Sequence, residues 1–165
     1  TAAGLYGAAY RIMEALTLPT RSMGAVALSH GAQDGGEESE RSIRRLLLVG
    51  GTAVATGSAA VALVAPSLMA AIFGESFRDA STTLRVLALA AVVGAGASVL
   101  GPLAAAQAGP RYARVLAVGL LLNLGLNMAL IPALGPAGAA WAFVVSEGFL
   151  SLMLARVLYG RRANS

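Results

Sequence analysis

The chain has 165 residues, of which 57% are hydrophobic and 12% are charged, about half the charged share of a typical soluble domain, so an ordinary soluble domain is excluded. Its net charge is +4, and every basic residue is an arginine at the end of or within an apolar segment rather than on one patch, which argues against nucleic-acid binding. The lack of Cys and the single His exclude disulfides, thiol catalysis and a Cys- or His-based metal site.

Long stretches without a formal charge divide the chain into predicted transmembrane helices. The longest are Leu46–Gly74, Val86–Pro110 and Val115–Ser146, and runs of about 18 apolar residues or more can cross a bilayer. They are too long for strands and lack alternation of apolar and polar residues. We therefore predict an all-α fold, a single membrane domain over residues 1–165 with about five transmembrane helices. The predicted helices are Gly4–Ser29, Ile43–Phe73, Ser76–Gln107, Pro110–Ile131 and Ala137–Tyr159.

One clearly polar segment, Gly31–Arg45, separates the first two predicted helices. In this segment, two Glu residues each precede an Arg by four positions, which is the order that stabilises a helix. We interpret it as a short amphipathic helix on the cytoplasmic membrane surface that continues into the second span. A solvated helical linker fits the same pattern.

The arginines predict an orientation. In a five-helix zigzag, one side of the membrane holds eight of them, and the opposite loops, Gly74–Ala80 and Pro132–Pro136, hold only Arg78. Because short cytoplasmic loops are enriched in basic residues, we expect the arginine-rich side and the C-terminus to be cytoplasmic. The eight are Arg41, Arg44, Arg45, Arg111, Arg114, Arg156, Arg161 and Arg162.

Several charges fall inside predicted spans: Arg11, Glu14 and Arg21 on the first, Arg85 on the third and Glu147 on the fifth. A charge at the bilayer centre costs roughly 2.5–3.5 kcal/mol on insertion scales. One interpretation is structural, with Arg11 paired to Glu14 and Glu147 bonded to a neighbouring helix. The other is a polar cavity that contacts an anionic substrate or a coupling ion. Arg85 is expected to extend to the outer interface.

The remaining intramembrane patterns predict packing. Asn123 and Asn127 lie four apart and are expected to form hydrogen bonds between helices. Glycines such as Gly94, Gly96 and Gly119 recur at spacings that let helices approach closely, and we assign them no site role. The sequence contains no nucleophile–base set, metal cluster or phosphate-binding loop, so neither an enzyme nor a cofactor is predicted.

Three segments resemble the C-terminal half of polysaccharide-export flippases in the multidrug/oligosaccharidyl-lipid/polysaccharide exporter superfamily. The first is Gly4–Glu14, similar to the entry into the family's eighth helix. The second is Phe73–Phe77 with Leu84–Ala88, similar to the turn between its ninth and tenth helices. The third resembles its last two helices and comprises Asn123–Asn127, Leu130–Pro132, Gly135, Gly138–Ala140 and Glu147.

The resemblance spans essentially the whole chain and implies a fragment. The family has twelve helices in two six-helix lobes with both termini cytoplasmic, so this chain would be helices eight to twelve. We expect the N-terminal lobe and the seventh helix to belong to a longer protein, consistent with a start at Thr1 inside an apolar segment.

The resemblance also implies transport in the cell membrane of a bacterium. Family members move lipid-pyrophosphate-linked oligosaccharides from the inner to the outer leaflet by alternating access, for polysaccharide biosynthesis. By position, Arg11 and Arg21 would contact the anionic headgroup, and Glu14 and Glu147 would tune that charge or carry a coupling proton. The implied partners are this substrate, the bilayer and the absent lobe.

Three alternatives stay open. A multidrug-type cation exporter of the same superfamily would have an acidic cavity. A peptidoglycan lipid-precursor flippase would share the anionic substrate class. A non-transporting membrane scaffold subunit would have its intramembrane charges buried in mutual pairs.

Overall fold

The computed structural model describes residues 2–33 and 37–160, with side chains for 3–26, 28 and 41–160. The described part of the chain is helical and contains no strand, which confirms the all-α fold. The elements are α1 (Ala2–Gln33), α2 (Glu37–Phe73), a 3-10 helix (Glu75–Ala80), α3 (Ser81–Leu134) and α4 (Pro136–Tyr159). Among these described helices, three are long and apolar enough to cross a membrane: α2, α3 and α4.

Helix α3 is too long for one span. Its 54 residues would extend about 80 Å, whereas a bilayer core is about 30 Å thick. The backbone leaves helical geometry at Ala108 (φ −141°, ψ 36°), and Pro110 cannot donate a hydrogen bond to the carbonyl one turn earlier. This break divides α3 into a first segment (residues 81–107) and a second segment (residues 109–134).

The first segment of α3 runs parallel to α4. Glu147 lies against Gly94, and Ser151, one turn later on α4, is hydrogen-bonded to Ala97, one turn later on α3. Residue numbers on the two helices therefore increase together along the contact.

The second segment runs antiparallel to α4. Gly138, at the start of α4, lies against the backbone of Leu130, near the end of α3. Leu150, later on α4, contacts Gly119, which is earlier on α3. The chain therefore reverses direction around Ala108. The predicted third and fourth helices are confirmed as separate segments, although the third begins at Ser81, because residues 75–80 form the 3-10 helix.

Two glycines end the helices at the turns. Gly74 has φ 96° and donates its N–H to the carbonyl of Ala70 at 2.9 Å. Gly135 has φ 57° and donates to Ile131 at 2.8 Å, and Pro136 begins α4. Positive φ is costly for other residues, and proline suits a first helical position, so these residues stop one helix and start the next. Pro132 lies inside α3, so the turn before α4 is shorter than the predicted loop Pro132–Pro136.

The polar segment Gly31–Arg45 is divided between two long helices. Helix α1 continues to Gln33, and α2 begins at Glu37 and runs to Phe73 without a break. Between Glu37 and Leu46 the sequence has no Gly or Pro, so nothing interrupts the helix before the apolar run. The expected amphipathic segment is therefore the first part of α2 itself; residues 34–36 lie outside the described residues.

Exposed arginines gather at one end of the bundle. One apolar cluster is contacted by a residue from each of three helices: Ile43 of α2, Tyr112 of α3 and Leu158 of α4. The arginines close to these residues in sequence are therefore brought together. The opposite end carries Arg78, paired with Glu75 at 2.8 Å. This distribution is the one expected for the predicted zigzag. The exposed arginines at the first end are Arg41, Arg44, Arg45, Arg111, Arg114 and Arg156.

The bundle has its core around the first segment of α3 and an apolar outer surface. Leu84 and Leu87 are fully buried, together with Met69 of α2. On the outside, Leu63 is 81% exposed and Met128 is 73% exposed. Leucine and methionine at such exposure suit lipid rather than water. The apolar helices thus indicate a membrane-embedded protein.

Arg85 bonds to the backbone of α2. Its Nε donates to the carbonyl oxygen of Ala62 at 3.1 Å. That carbonyl would normally accept from residue 66, but Pro66 has no N–H. Arg85 therefore satisfies a carbonyl that the proline leaves free. The side chain is exposed, and its expected extension to the outer interface stays a prediction.

We predict that Arg85→Met lowers the free energy of unfolding by about 1–2 kcal/mol, because the Ala62 carbonyl loses its donor. The loss should be much smaller in a Pro66→Ala background, where residue 66 again donates to that carbonyl. Unfolding in detergent measures both. The control is Arg78→Met, which breaks an exposed ion pair and should change little. Equal losses in both backgrounds would contradict this role for Arg85.

Candidate functional site

A polar cavity lies where α1, the first segment of α3 and α4 meet. Its volume is about 50 Å³, which is enough for a few water molecules. It is partly open to the outside of the bundle. Its lining residues are Tyr10, Met13, Thr17 and Arg21 of α1, Ala90, Ala91, Gly94 and Ser98 of α3, and Phe143 and Glu147 of α4.

Helical spacing explains which α1 side chains reach the cavity. Tyr10, Thr17 and Arg21 are separated by seven and then four residues, so they lie on one face of the helix. On α4, Phe143 and Glu147 are one turn apart on the face turned toward α1 and α3. The cavity is thus built from one face of each helix.

Arg21 and Glu147 are the charged residues of this lining. Arg21 is exposed and Glu147 is half-buried. The two interact electrostatically across the cavity, and no ion pair joins them. The arrangement presents a guanidinium on the α1 side and a carboxyl group on the α4 side, with room for water or a small polar group between them.

Glu147 lies directly against the backbone of α3. A methyl group on Gly94 would be 2.6 Å from Oε2 of Glu147 and 3.1 Å from its Cδ. The carboxyl group therefore occupies the space that the missing side chain of Gly94 leaves. Among the described side chains, Glu147 has no hydrogen bond to a neighbouring helix, contrary to the structural interpretation.

Aromatic rings close one side of the cavity. Tyr6 and Tyr10 stack with their ring centroids 5.9 Å apart, and Tyr10 meets Phe143 edge-on at 6.2 Å. Such offset and edge-to-face pairs are the favoured aromatic geometries. They connect α1 to α4 beside the charged residues.

Arg11 and Glu14 lie away from the cavity lining. Arg11 is exposed and Glu14 is half-buried. They share no ion pair, since the described side chains form one pair only, Arg78 with Glu75. The structural interpretation, in which Arg11 pairs with Glu14, is therefore wrong for these two residues. Three residues apart, two side chains point in directions about 60° apart, and each can take a rotamer that avoids the other. Their substrate-binding role stays a prediction.

Asn123 connects the second segment of α3 to α4. Its Nδ2 donates to Oγ of Ser146 at 3.1 Å, and Ser146 donates to the carbonyl of Ala142 at 2.8 Å. Asn127 donates within its own helix, to Oδ1 of Asn123 at 2.9 Å. The expected hydrogen bond between helices is thus confirmed for Asn123. Asn127 instead holds the side-chain amide of Asn123 in place.

Ser151 connects the first segment of α3 to α4 in a different way. Its hydroxyl donates to the carbonyl of Val93 at 2.7 Å and accepts from the N–H of Ala97 at 3.0 Å. Those two backbone groups are four residues apart and are partners in a regular helix. Ser151 also packs against Gly96, whose missing side chain leaves room for it.

A larger groove at the other end of α1 is apolar. It measures about 380 Å³ and is lined by Ala3, Tyr6, Ile131, Gly135, Pro136 and Ala139. It holds no charged or metal-ligating side chain. The smaller cavity is therefore the better candidate site, because it combines charge, hydroxyl groups and space for water.

Sequence reasoning missed most of the uncharged cavity residues. Tyr10 and Thr17 could have been found from their spacing to Arg21 on one helical face. Ser98 and Gly94 carry no comparable signal, because small residues on a membrane helix usually serve packing. Gly94 differs from the other glycines only in what lies opposite to it.

Comparison of the chain with protein-family models, with curated proteins and with solved structures finds no match in any of the three.

The cavity should admit water, and a chain without Cys allows a direct test. We predict that Ser98→Cys in membranes reacts with a small water-soluble thiol reagent. Leu63→Cys should react several-fold more slowly although Leu63 is 81% exposed, because lipid covers it and thiolates do not form there. Mass spectrometry measures both rates. Faster reaction at position 63 than at position 98 would contradict both the hydrated cavity and the lipid-facing surface.

Proposed function

We propose that this chain belongs to a membrane flippase that moves an anionic lipid-linked oligosaccharide across the cell membrane by alternating access. The observation that carries the proposal is the pair of charges, Arg21 and Glu147, on one cavity inside an apolar bundle. Charge at that depth is costly. Charged side chains on the wall of a cavity with room for water are typical of sites that handle polar cargo.

The chemistry suits an anionic headgroup. A pyrophosphate cannot cross hydrocarbon without compensation. Arg21 offers several N–H donors on a planar group that matches phosphate oxygens, and its exposure leaves it free to reach a ligand. Tyr10 and Thr17 add a ring and a hydroxyl beside it, and such groups can contact a sugar.

In such a transporter, the exposed face of α1 would line a central cavity between two lobes. Arg11 is exposed and would add a second positive charge there, while Glu14 and Glu147 would tune the field or carry a coupling proton. The second lobe would come from the N-terminal part of the longer protein that the resemblance implies. Rocking of one bundle against the other is the usual motion of such transporters.

A cation exporter of the same superfamily is the second candidate, and the position of Glu147 favours it. Glu147 is the more enclosed of the two cavity charges, and a carboxyl group suits a cationic ligand. A peptidoglycan lipid-precursor flippase would use Arg21 in the same way as the leading proposal. A scaffold subunit is disfavoured, because the described intramembrane charges form no mutual pairs.

We predict that Arg21→Gln in the complete protein lowers polysaccharide export about tenfold or more, as expected for loss of a charged contact. Export is measured as surface polymer per cell at equal protein level. Arg78→Gln, outside the cavity, is the control and should export normally. Arg11→Ala and Glu14→Gln test the residues that lie off the cavity lining. A cation exporter would instead lose drug resistance in Glu147→Gln and keep it in Arg21→Gln.

The arginine-rich end of the bundle is proposed to face the cytoplasm. Six exposed arginines of α2, α3 and α4 lie at that end, and basic residues favour the cytoplasmic side. The same rule puts the end of α4 inside the cell.

We predict that a fluorescent protein fused after Ser165 folds and fluoresces, because it remains in the cytoplasm, whereas a fused periplasmic phosphatase stays inactive. Replacing Arg111 and Arg114 with Gln should weaken this preference. An active phosphatase on the unmodified chain would contradict the proposed orientation.

A further inference from the structure

The side chain of Glu147 lies across the α-carbon of Gly94. Besides the close approach to Oε2 and Cδ, a methyl group on Gly94 would be 3.2 Å from Cγ of Glu147. All three distances are shorter than an unstrained nonbonded contact. Gly94 is buried, so the carboxyl group and the α3 backbone meet without intervening space.

Neighbouring contacts fix α4 against α3 at this point. Ser151 holds Val93 and Ala97 by hydrogen bonds of 2.7 and 3.0 Å. Gly148 faces Val93, where a methyl group would be 3.2 Å from Cγ1. The helices therefore cannot slide apart to accommodate a larger residue 94, and the Glu147 side chain must move instead.

We propose that Gly94 is a positioning residue that holds the Glu147 carboxyl group against α3, on the cavity wall opposite Arg21. Any larger residue at position 94 would displace the carboxyl group into the cavity, toward the guanidinium. Gly94 thus keeps the two charges apart and the space between them open. The contact itself is independent of the cargo; its consequence for transport rests on the proposed function.

Gly125 provides a matched control on the same helix. It is exposed, and a methyl group there would contact nothing within 4 Å. Replacing either glycine with alanine improves intrinsic helix propensity equally. Any difference between Gly94→Ala and Gly125→Ala therefore reports the contact with Glu147.

The first readout is thermal stability of the complete protein in detergent. We expect Gly94→Ala to lower Tm by about 1–4 °C, because the flexible end of the Glu147 side chain can swing away but its Cγ must also shift. Gly125→Ala should not lower Tm. The double variant Gly94→Ala/Glu147→Ala should recover most of the loss, because no carboxyl group remains to be displaced. If Gly94→Ala does not fold, recovery of folding in the double variant supports the proposal, and its failure overturns it.

The second readout is chemical and does not depend on transport. An apolar carbodiimide modifies protonated carboxyl groups within membranes, and mass spectrometry quantifies the product at Glu147, with Glu14 as the internal reference. We expect a several-fold lower ratio in Gly94→Ala, because the displaced carboxyl group approaches the guanidinium of Arg21, and a carboxylate paired with an arginine does not react with the carbodiimide. An unchanged ratio, or the same change in Gly125→Ala, would overturn the positioning role.

Measuring export by Gly94→Ala distinguishes the positioning role of Gly94 from the proposed transport function. Loss of export in Gly94→Ala together with the lower labelling ratio supports both. A lower ratio with normal export leaves the positioning role standing and removes Glu147 from the transport site.

Discussion

The fit of α4 between the two segments of α3 is the constraint on which the rest of the bundle depends. Lipid gives apolar helices little reason to associate, so close contact has to come from shape and hydrogen bonds. Glycines at 94 and 119 on α3, and at 138 on α4, remove side chains where the helices come closest. The same close contact brings Glu147 to the cavity wall.

Prolines impose a second constraint, because each one inside a helix leaves a carbonyl without its usual donor. In hydrocarbon such a group is costly. Pro66 leaves the Ala62 carbonyl free, and Arg85 supplies the missing donor at 3.1 Å. Pro102 does the same to the carbonyl of Ser98, which lies against Gly24 of α1. At these two positions, the carbonyl that a proline leaves free is met by a polar side chain or by a close helix contact.

Much of the fold could be predicted from the sequence, because apolar length and charge spacing are properties of the chain itself. The charge-free stretches located α2, α3 and α4, and Pro110 marked the reversal inside α3. The start of the third helix was displaced, since Phe77 and its neighbours form a 3-10 helix before Ser81. Boundaries of this kind depend on local turn geometry more than on hydropathy.

The candidate site was less predictable. Arg21 and Glu147 could be identified as costly charges, but their shared cavity depends on how α1 and α4 are rotated about their axes. Pairing of Arg11 with Glu14 was one of two interpretations and does not occur, because spacing along one helix does not determine rotamers. The role of Gly94 could not be predicted from the sequence, since it depends on which α4 side chain lies opposite.

The hydroxyl of Ser151 has a mechanical consequence for α3. It already bonds both the Val93 carbonyl and the Ala97 N–H, so that turn can lengthen without leaving either group unsatisfied in the hydrocarbon. The first segment of α3 can therefore bend at this turn at low cost. Because the turn contains Gly94, against which the carboxyl group of Glu147 lies, a small change in helix curvature there would move that charge.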